Sequence, residues 1–321
     1  MFNAINEDRY SLWHTVLVMF IAIIMMAFVN YTHANTSEIK QKGFASPEEA
    51  VKALIDAVKA NNNQELLAIF GPEGKEIISS GDEVADKTAR EHFLSKYQEM
   101  NKIEKETPDK AVVDVGSEDW PFPIPIVKKG ETWVFDTQDG KEEILSRRIG
   151  RNELDTIEVM HAYVDAQREY VSKDRDGNGD IEFAQKIIST EGKHDGLYWE
   201  TNDGKELSPF GPLVAEATQE GYTGKKTQSG QPKPYHGYVF KILKRQGQNA
   251  PGGQYDYVAN GKMILGFALL AYPAKYGSSG IMTFIINQDD VVYQKDLGKN
   301  TAKIAESITK YDPDSTWTKV E

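Results

Sequence analysis

Ser46-Pro47-Glu48-Glu49-Ala50-Val51-Lys52-Ala53-Leu54-Ile55-Asp56-Ala57-Val58 is the stretch from which the fold can be read outward. Ser46 supplies an N-cap acceptor, Pro47 a first helical residue with no donor to waste, and Glu49 the third-position carboxylate of a capping box. Ala50, Val51, Leu54, Ile55 and Val58 then recur at helical spacing, so one face of this helix is a core face. Asn61-Asn62-Asn63 ends it. A second, short helix is predicted from Glu65 to Phe70, stopping at Gly71-Pro72, and a third from about Thr88 to Met100 with Phe93, Leu94 and Tyr97 available for packing. Beyond it the period shortens: Lys110 to Val115, Ile124 to Lys128 and Glu131 to Asp136 are β-rich runs separated by turn residues such as Lys129-Gly130. Helices first and strands second predict an α+β fold.

The 321 residues exceed the size at which one core usually stops growing, roughly 250–300 residues, so two domains are expected, over 35–150 and 151–321. Residues 1–34 are set apart as a targeting segment. Every residue from Val16 to Val29 is apolar, which matches a signal-peptide core and falls short of the roughly 20 residues of a spanning helix. Thr32-His33-Ala34 has the small-x-small pattern of a cleavage site, placing the mature start at or near Asn35. Glu7 and Asp8 outnumber Arg9 where a basic flank is expected, so retention as an uncleaved anchor is the alternative, and the only membrane contact foreseen. The net charge of -12 repels phosphate backbones and argues against nucleic acid as a partner. The absence of cysteine excludes disulfides, thiolate metal sites, a cysteine nucleophile and a lipidated cysteine.

Two segments carry alternative readings. Trp120-Pro121-Phe122-Pro123-Ile124-Pro125 alternates proline with large apolar groups, and proline cannot donate to a ladder. It is an edge or an extended connector, serving either as a docking segment or as a rigid strand entrance with its aromatics turned inward. Arg147-Arg148-Ile149-Gly150-Arg151-Asn152-Glu153 is a basic cluster before a predicted long helix, which Asn152 can cap and in which Leu154, Ile157, His161 and Val164 trace one face. Its arginines either hold an anionic ligand or tie two domains together.

The most specific local motif is Asp174-Arg175-Asp176-Gly177-Asn178-Gly179-Asp180-Ile181-Glu182, the first part of an EF-hand-like loop over 174–185. Oxygen donors stand at positions one, three and five, glycine at six and isoleucine at eight. A weak, structural calcium ion is therefore expected on Asp174, Asp176 and Asn178, with the carbonyl of Asp180 and Glu182 completing the shell. Phe183, Ala184, Ile187 and Ile188 suggest an exiting helix. Gln185 replaces the bidentate glutamate of position twelve, and a solvated acidic turn is the competing reading.

From Tyr235 the chain is glycine-punctuated and β-rich, with strands expected at Gly237 to Leu243, Met263 to Tyr272, Ile281 to Asn287 and Val291 to Tyr293. No histidine-glutamate-x-x-histidine or glycine-x-serine-x-glycine motif occurs, and Gly277-Ser278-Ser279-Gly280 reads as a hairpin loop. His194-Asp195 and Tyr235-His236 are the pairs that could supply a base oriented by a carboxylate. No catalytic residue and no organic cofactor is assigned.

Helix order and strand spacing over about 46–150 resemble the cones of the nuclear-transport-factor-2-like superfamily, which implies helices filling a curved sheet around a pocket. Glu153 to Tyr170, Gly237 to Lys241, Phe267 to Pro273 and Gly280 to Tyr293 resemble the head of type IV pilins and pseudopilins, a long helix followed by an antiparallel meander. No glycine precedes a phenylalanine-led apolar helix with glutamate at its fifth position, as a prepilin spine requires, and Gly43-Phe44 is followed by a polar helix start. The succession Trp120 to Pro125, Arg147 to Leu154, Ala166 to Tyr170, Gly192 to Trp199 and Gly211 to Val214 is similar to a bacterial family of exported proteins catalogued as domain of unknown function 2950. That resemblance implies a periplasmic envelope protein of a Gram-negative bacterium. The expected function is a non-catalytic module that binds an envelope protein or cell-surface component or serves structurally, the alternative being a periplasmic hydrolase with its pocket in the first domain.

Overall fold

In a computed structural model, residues 40–175, 177, 179–200, 207–222 and 233–320 are described. The targeting segment, with Val16 to Val29 and Asn35, lies outside them, as do Asp176 and Asn178 of the acidic loop. The capped helix forms as α1 (Pro47–Lys59), with Ser46 Oγ accepting from the Glu49 amide at 3.2 Å and Glu49 accepting from the Ala45 amide at 3.1 Å. Ala50, Val51, Leu54, Ile55 and Val58 are all buried, as their spacing requires. Next come α2 (Asn63–Phe70), capped by Asn62, and the single turn α3 (Lys75–Ile78).

The third long helix starts earlier than predicted. α4 runs Glu83–Glu99 because Asp82 caps it, its Oδ1 accepting from the Val84 and Ala85 amides at 3.1 Å each. None of its residues is buried. The first sheet is antiparallel, with β1 (Asn101–Thr107), β2 (Lys110–Val115), β4 (Ile126–Lys129) and β5 (Thr132–Phe135) in that spatial order and the short β3 (Trp120–Pro121) also paired with β2. Ala111, Val113 and Val115 of β2 are buried, and the last two join Ile126, Phe135 and the buried faces of α1 and α2 in one core. Burying each such aliphatic side chain contributes about 1.5–3 kcal/mol. Phe122 turns inward, its ring 5.2 Å from Phe93 and 6.5 Å from Phe70.

α5 (Thr137–Tyr170) corrects the sequence reading of the basic cluster. Residues 147–153 are not the approach to a helix but its middle, and Asn152 caps nothing. It is buried and donates to the Ser279 carbonyl at 2.8 Å. The helix continues N-terminally through Gly140, where a Cβ would come within 2.3 Å of the Pro123 carbonyl oxygen, so glycine lets it lie against the proline-rich connector. Its buried face also differs from the predicted one. Val164 is buried and Ile157 half-buried as expected, but Leu154 and His161 are exposed, and Thr156, Val159, Met160, Tyr163 and Gln167 complete the inward face. The boundary proposed at 150 falls inside this helix.

Against the C-terminal half of α5 packs a second antiparallel sheet, a meander of β6 (Tyr238–Leu243), β7 (Ala268–Pro273), β8 (Met282–Asn287), β9 (Tyr293–Asp296) and β10 (Thr318–Lys319). Leu270, Phe284 and Ile286 form its core with Met160, Tyr163 and Tyr238. Between α5 and β6 lies α6 (Gly211–Gln219), and α7 (Thr301–Ser307) packs on β7. Residues from Gln41 onward form one compact unit holding both cores. Among the described residues no helix is long and apolar enough to cross a membrane.

Candidate functional site

A cavity of about 1140 Å³ opens beneath α4. Its apolar floor is made by Leu54, Leu66, Phe70, Phe93 and Phe122, contributed by α1, α2, α4 and the proline-rich connector. α4 packs on α1 and on β1 and β2 through half-buried Phe93, Leu94 and Tyr97, and the cavity opens beside that contact. α5 forms a wall that changes sign along its length: Arg147, Arg148 and Arg151 precede Asp155 and Glu158.

At the basic end, Arg148 donates to the carbonyls of Glu76, at 2.8 Å, and Ile77, and reaches Ser278 Oγ at 3.4 Å. It therefore joins α3 to the β7–β8 hairpin, where Ser278 and Ser279 are buried. Burial pushes the Arg148 guanidinium below its ordinary value, Asp86 opposes that shift, and Arg90 and Arg151 reinforce it. Arg90 donates to the Ile78 carbonyl at 2.6 Å and to Asn61. Burial raises the pKa of Asp86, although its carboxylate accepts twice from the Ser80 amide. Arg147 pairs with Glu143 at 2.5 Å and lies over the Trp120 ring at 5.2 Å. Arg151 is exposed and makes no hydrogen bond or ion pair among the described residues.

The acidic end is organised by His236. Its backbone is left-handed, φ 48°, and the next residue, Gly237, has φ 75°. A Cβ at Gly237 would meet Asn152 Nδ2 at 2.5 Å. The turn aims the imidazole between two carboxylates, with Nδ1 3.0 Å from Asp155 and Nε2 3.2 Å from Glu220. Burial lowers the His236 pKa, but the Asp155 hydrogen bond and the charges of Glu220, Asp155 and Asp82 outweigh it, leaving the group above its ordinary value. Tyr222 stacks edge-on with Tyr235 at 4.8 Å and donates to Asp82 Oδ2 at 2.9 Å. The same oxygen accepts from the Gly237 amide at 2.9 Å. The cap of α4 and the His236 turn are thus fastened by one buried carboxylate.

Of the two histidine pairs singled out in the sequence, His236 with Tyr235 lines the cavity. His194 stacks on Trp199 at 4.2 Å, and Asp195 pairs with Lys186 at 2.6 Å in a separate cleft. Asp82, Asp155, Glu220 and Tyr222 gave no local sequence signal beyond the Gly81-Asp82 stop before α4.

In the acidic loop, Asp174 accepts from the Gly177 and Gly179 amides at 2.8 Å each, Asp180 pairs with Lys262, and Glu182 accepts from the Met263 amide at 3.4 Å. No helix follows. Residues 181–190 are irregular, held by bridges from Phe183 to Met263 and from Ile188 to Tyr198, and by buried Gln167, which both donates to and accepts from Ala184. Gln185 donates to the Gly261 carbonyl at 2.7 Å and accepts from Lys244 at 2.9 Å, so position twelve has other partners. The helix–loop–helix expectation is therefore corrected. Among the described residues no group of three or more histidine and acidic side chains is placed to hold a metal ion.

A family model described as Protein of unknown function (DUF2950) matches residues 41–320. The chain belongs to the DUF2950 family. No curated protein and no solved structure matches it. In this DUF2950 member the match takes in both cores, the sign-changing wall of α5 and the His236 turn.

Proposed function

We propose that this DUF2950 member is an exported envelope protein that binds its ligand without transforming it, and that the cavity beneath α4 is the binding site. The observation that carries this reading is a cavity of about 1140 Å³ under a 17-residue helix with no fully buried residue, faced by half-buried Phe93 and Phe122 and backed by the buried Leu54, Leu66 and Phe70. Apolar surface left in contact with water is unfavourable, and a ligand that covers it is stabilised by that burial. An uncharged naphthylamine probe is expected to bind the purified protein saturably, and Ala89→Trp, which fills the space under α4, to abolish the binding without lowering the melting temperature. Absence of saturable fluorescence in the wild type sinks the proposal.

A hydrolase is the second reading, favoured by one observation: an imidazole held by Asp155 in a left-handed turn at a cavity wall, the form of an oriented base. Glu220, rather than a nucleophile's hydroxyl, faces the other nitrogen. Turnover of ester, phosphate or glycoside substrates that disappears in His236→Gln would favour it over simple binding. We read the first core as a nuclear-transport-factor-2-like cone and the second as a pilin-like head, with α5 running through the boundary expected between 35–150 and 151–321. Periplasmic location after cleavage near Asn35 belongs to the same reading, and intact mass of the exported protein tests it.

A further inference from the structure

We propose that the basic end of the cavity is an anion site, so that the ligand is an amphiphile with one acidic head group; this rests on the cavity being the binding site. Arg90, Arg147, Arg148, Arg151 and Lys96 all line that end. Two of these arginines are anchored by backbone carbonyls, which fix their position without neutralising their charge. Asp86, facing Arg148 and Arg90, Glu143, paired with Arg147, and Glu99, paired with Lys96 at 2.9 Å, offset them in part, and Arg151 has no such partner among the described residues. A local excess of positive charge therefore stands in a chain whose net charge is -12.

Helix geometry concentrates that excess. Arg147 and Arg151 are one turn apart, as are Arg148 and Arg151, so the guanidiniums share a face and repel. Arg151 contributes to the depressed pKa of its neighbour Arg148, and no carboxylate among the described residues pairs with it. An anion bridging Arg151 and Arg147 relieves the repulsion, and planar guanidiniums suit the paired oxygens of a carboxylate or phosphate better than ammonium groups do.

The remainder of the cavity decides what the anion is attached to. Beyond the arginines lies the phenylalanine and leucine floor, which offers no partner to a polar body. One turn past Arg151, Asp155 is engaged by His236, and beyond it Glu158, Glu216 and Glu220 repel a second anion. A ligand with its acidic group at Arg151 and an apolar body along Phe93 and Phe122 satisfies both ends. A small free anion would leave the floor uncovered.

Calorimetry on the full exported protein, below the critical micelle concentrations, tests this with dodecyl phosphate, dodecyl maltoside and inorganic phosphate. Dodecyl phosphate should bind at least about tenfold more tightly than dodecyl maltoside, the order expected of one charge-assisted contact. Arg151→Gln, at an exposed position without a structural partner, should bring the two to near parity and leave the melting temperature unchanged. Equal affinities in the wild type, an intact preference in Arg151→Gln, or inorganic phosphate binding as tightly as dodecyl phosphate overturns the inference alone. No binding by either amphiphile overturns the binding reading as well.

Discussion

Replacing Asp82 by alanine should cost far more than the loss of a helix cap. The side chain is 2 % exposed and accepts four hydrogen bonds: Oδ1 from the Val84 and Ala85 amides, Oδ2 from the Tyr222 hydroxyl and the Gly237 amide. The cap alone is worth about 1 kcal/mol. The Gly237 amide and the part-buried Tyr222 hydroxyl would each lose a charged acceptor, at about 1–3 kcal/mol apiece. Asp82→Ala is therefore expected to destabilise the protein by on the order of 3–7 kcal/mol, read as a shift of the urea midpoint at unchanged slope. Tyr222→Phe removes one of the donors, so the double variant should lose about 1 kcal/mol or more less than the two single losses together. A loss of only about 1 kcal/mol with strict additivity would show that Asp82 caps α4 and nothing else, refuting the link to the His236 turn.

Thermal stability should fall as pH rises through the raised pKa of His236. Burial lowers that pKa, but Asp155, Glu220 and Asp82 raise it further, so the folded value exceeds the ordinary 6.5. The contribution is complete below the unfolded value of about 6.5 and lost above the folded one. His236→Gln should flatten the melting profile across that window, and parallel profiles would rule the linkage out. For the acidic loop, calcium is proposed to bind no more tightly than about 10⁻⁴ M, because Gln185 is engaged by Gly261 and Lys244. No heat and no melting shift at millimolar calcium, with Asp174→Ala behaving as wild type, would remove that site. Limited proteolysis should cleave between stable fragments if 35–150 and 151–321 fold separately; a chain cut only to small peptides argues against the division.

The parts of the fold that were legible were those whose local chemistry agrees with their tertiary setting. α1 announced itself through Ser46, Pro47 and Glu49, and β2 through alternating apolar residues that prove buried. β1 was not foreseen because its residues are charged and mostly exposed, leaving no alternation to read. The predicted long helix begins only after the basic cluster, at an Asn152 cap, whereas α5 runs on N-terminally through Gly140, whose lack of a Cβ is required by contact with the Pro123 carbonyl. The segment after the acidic loop has helical spacing on paper, yet its backbone is taken up by Gln167 and by a bridge to Met263. At the site, the arginine cluster is visible as a run, and of its two readings the structure places Arg148 as a tie between α3 and the β7–β8 hairpin. The His236 constellation could not be read from spacing, since its partners at 82, 155, 220 and 222 are brought together only by the fold.

The cavity is lined by residues from Leu54 to His236, and this spread fixes the order in which it can be built. Contacts between α1 and α2 and between the paired strands β4 and β5 close small loops and form quickly, while the Asp82–Gly237 bond must close one of 155 residues. Because a chain emerges N-terminus first, the phenylalanine floor can assemble while the wall that faces it is still being made. The mouth is completed only after Gly237 has emerged, with no disulfide to hold an earlier intermediate in place. Any ligand that needs both ends of the site therefore discriminates finished chains from nascent ones, and would itself serve as the last piece to fold around.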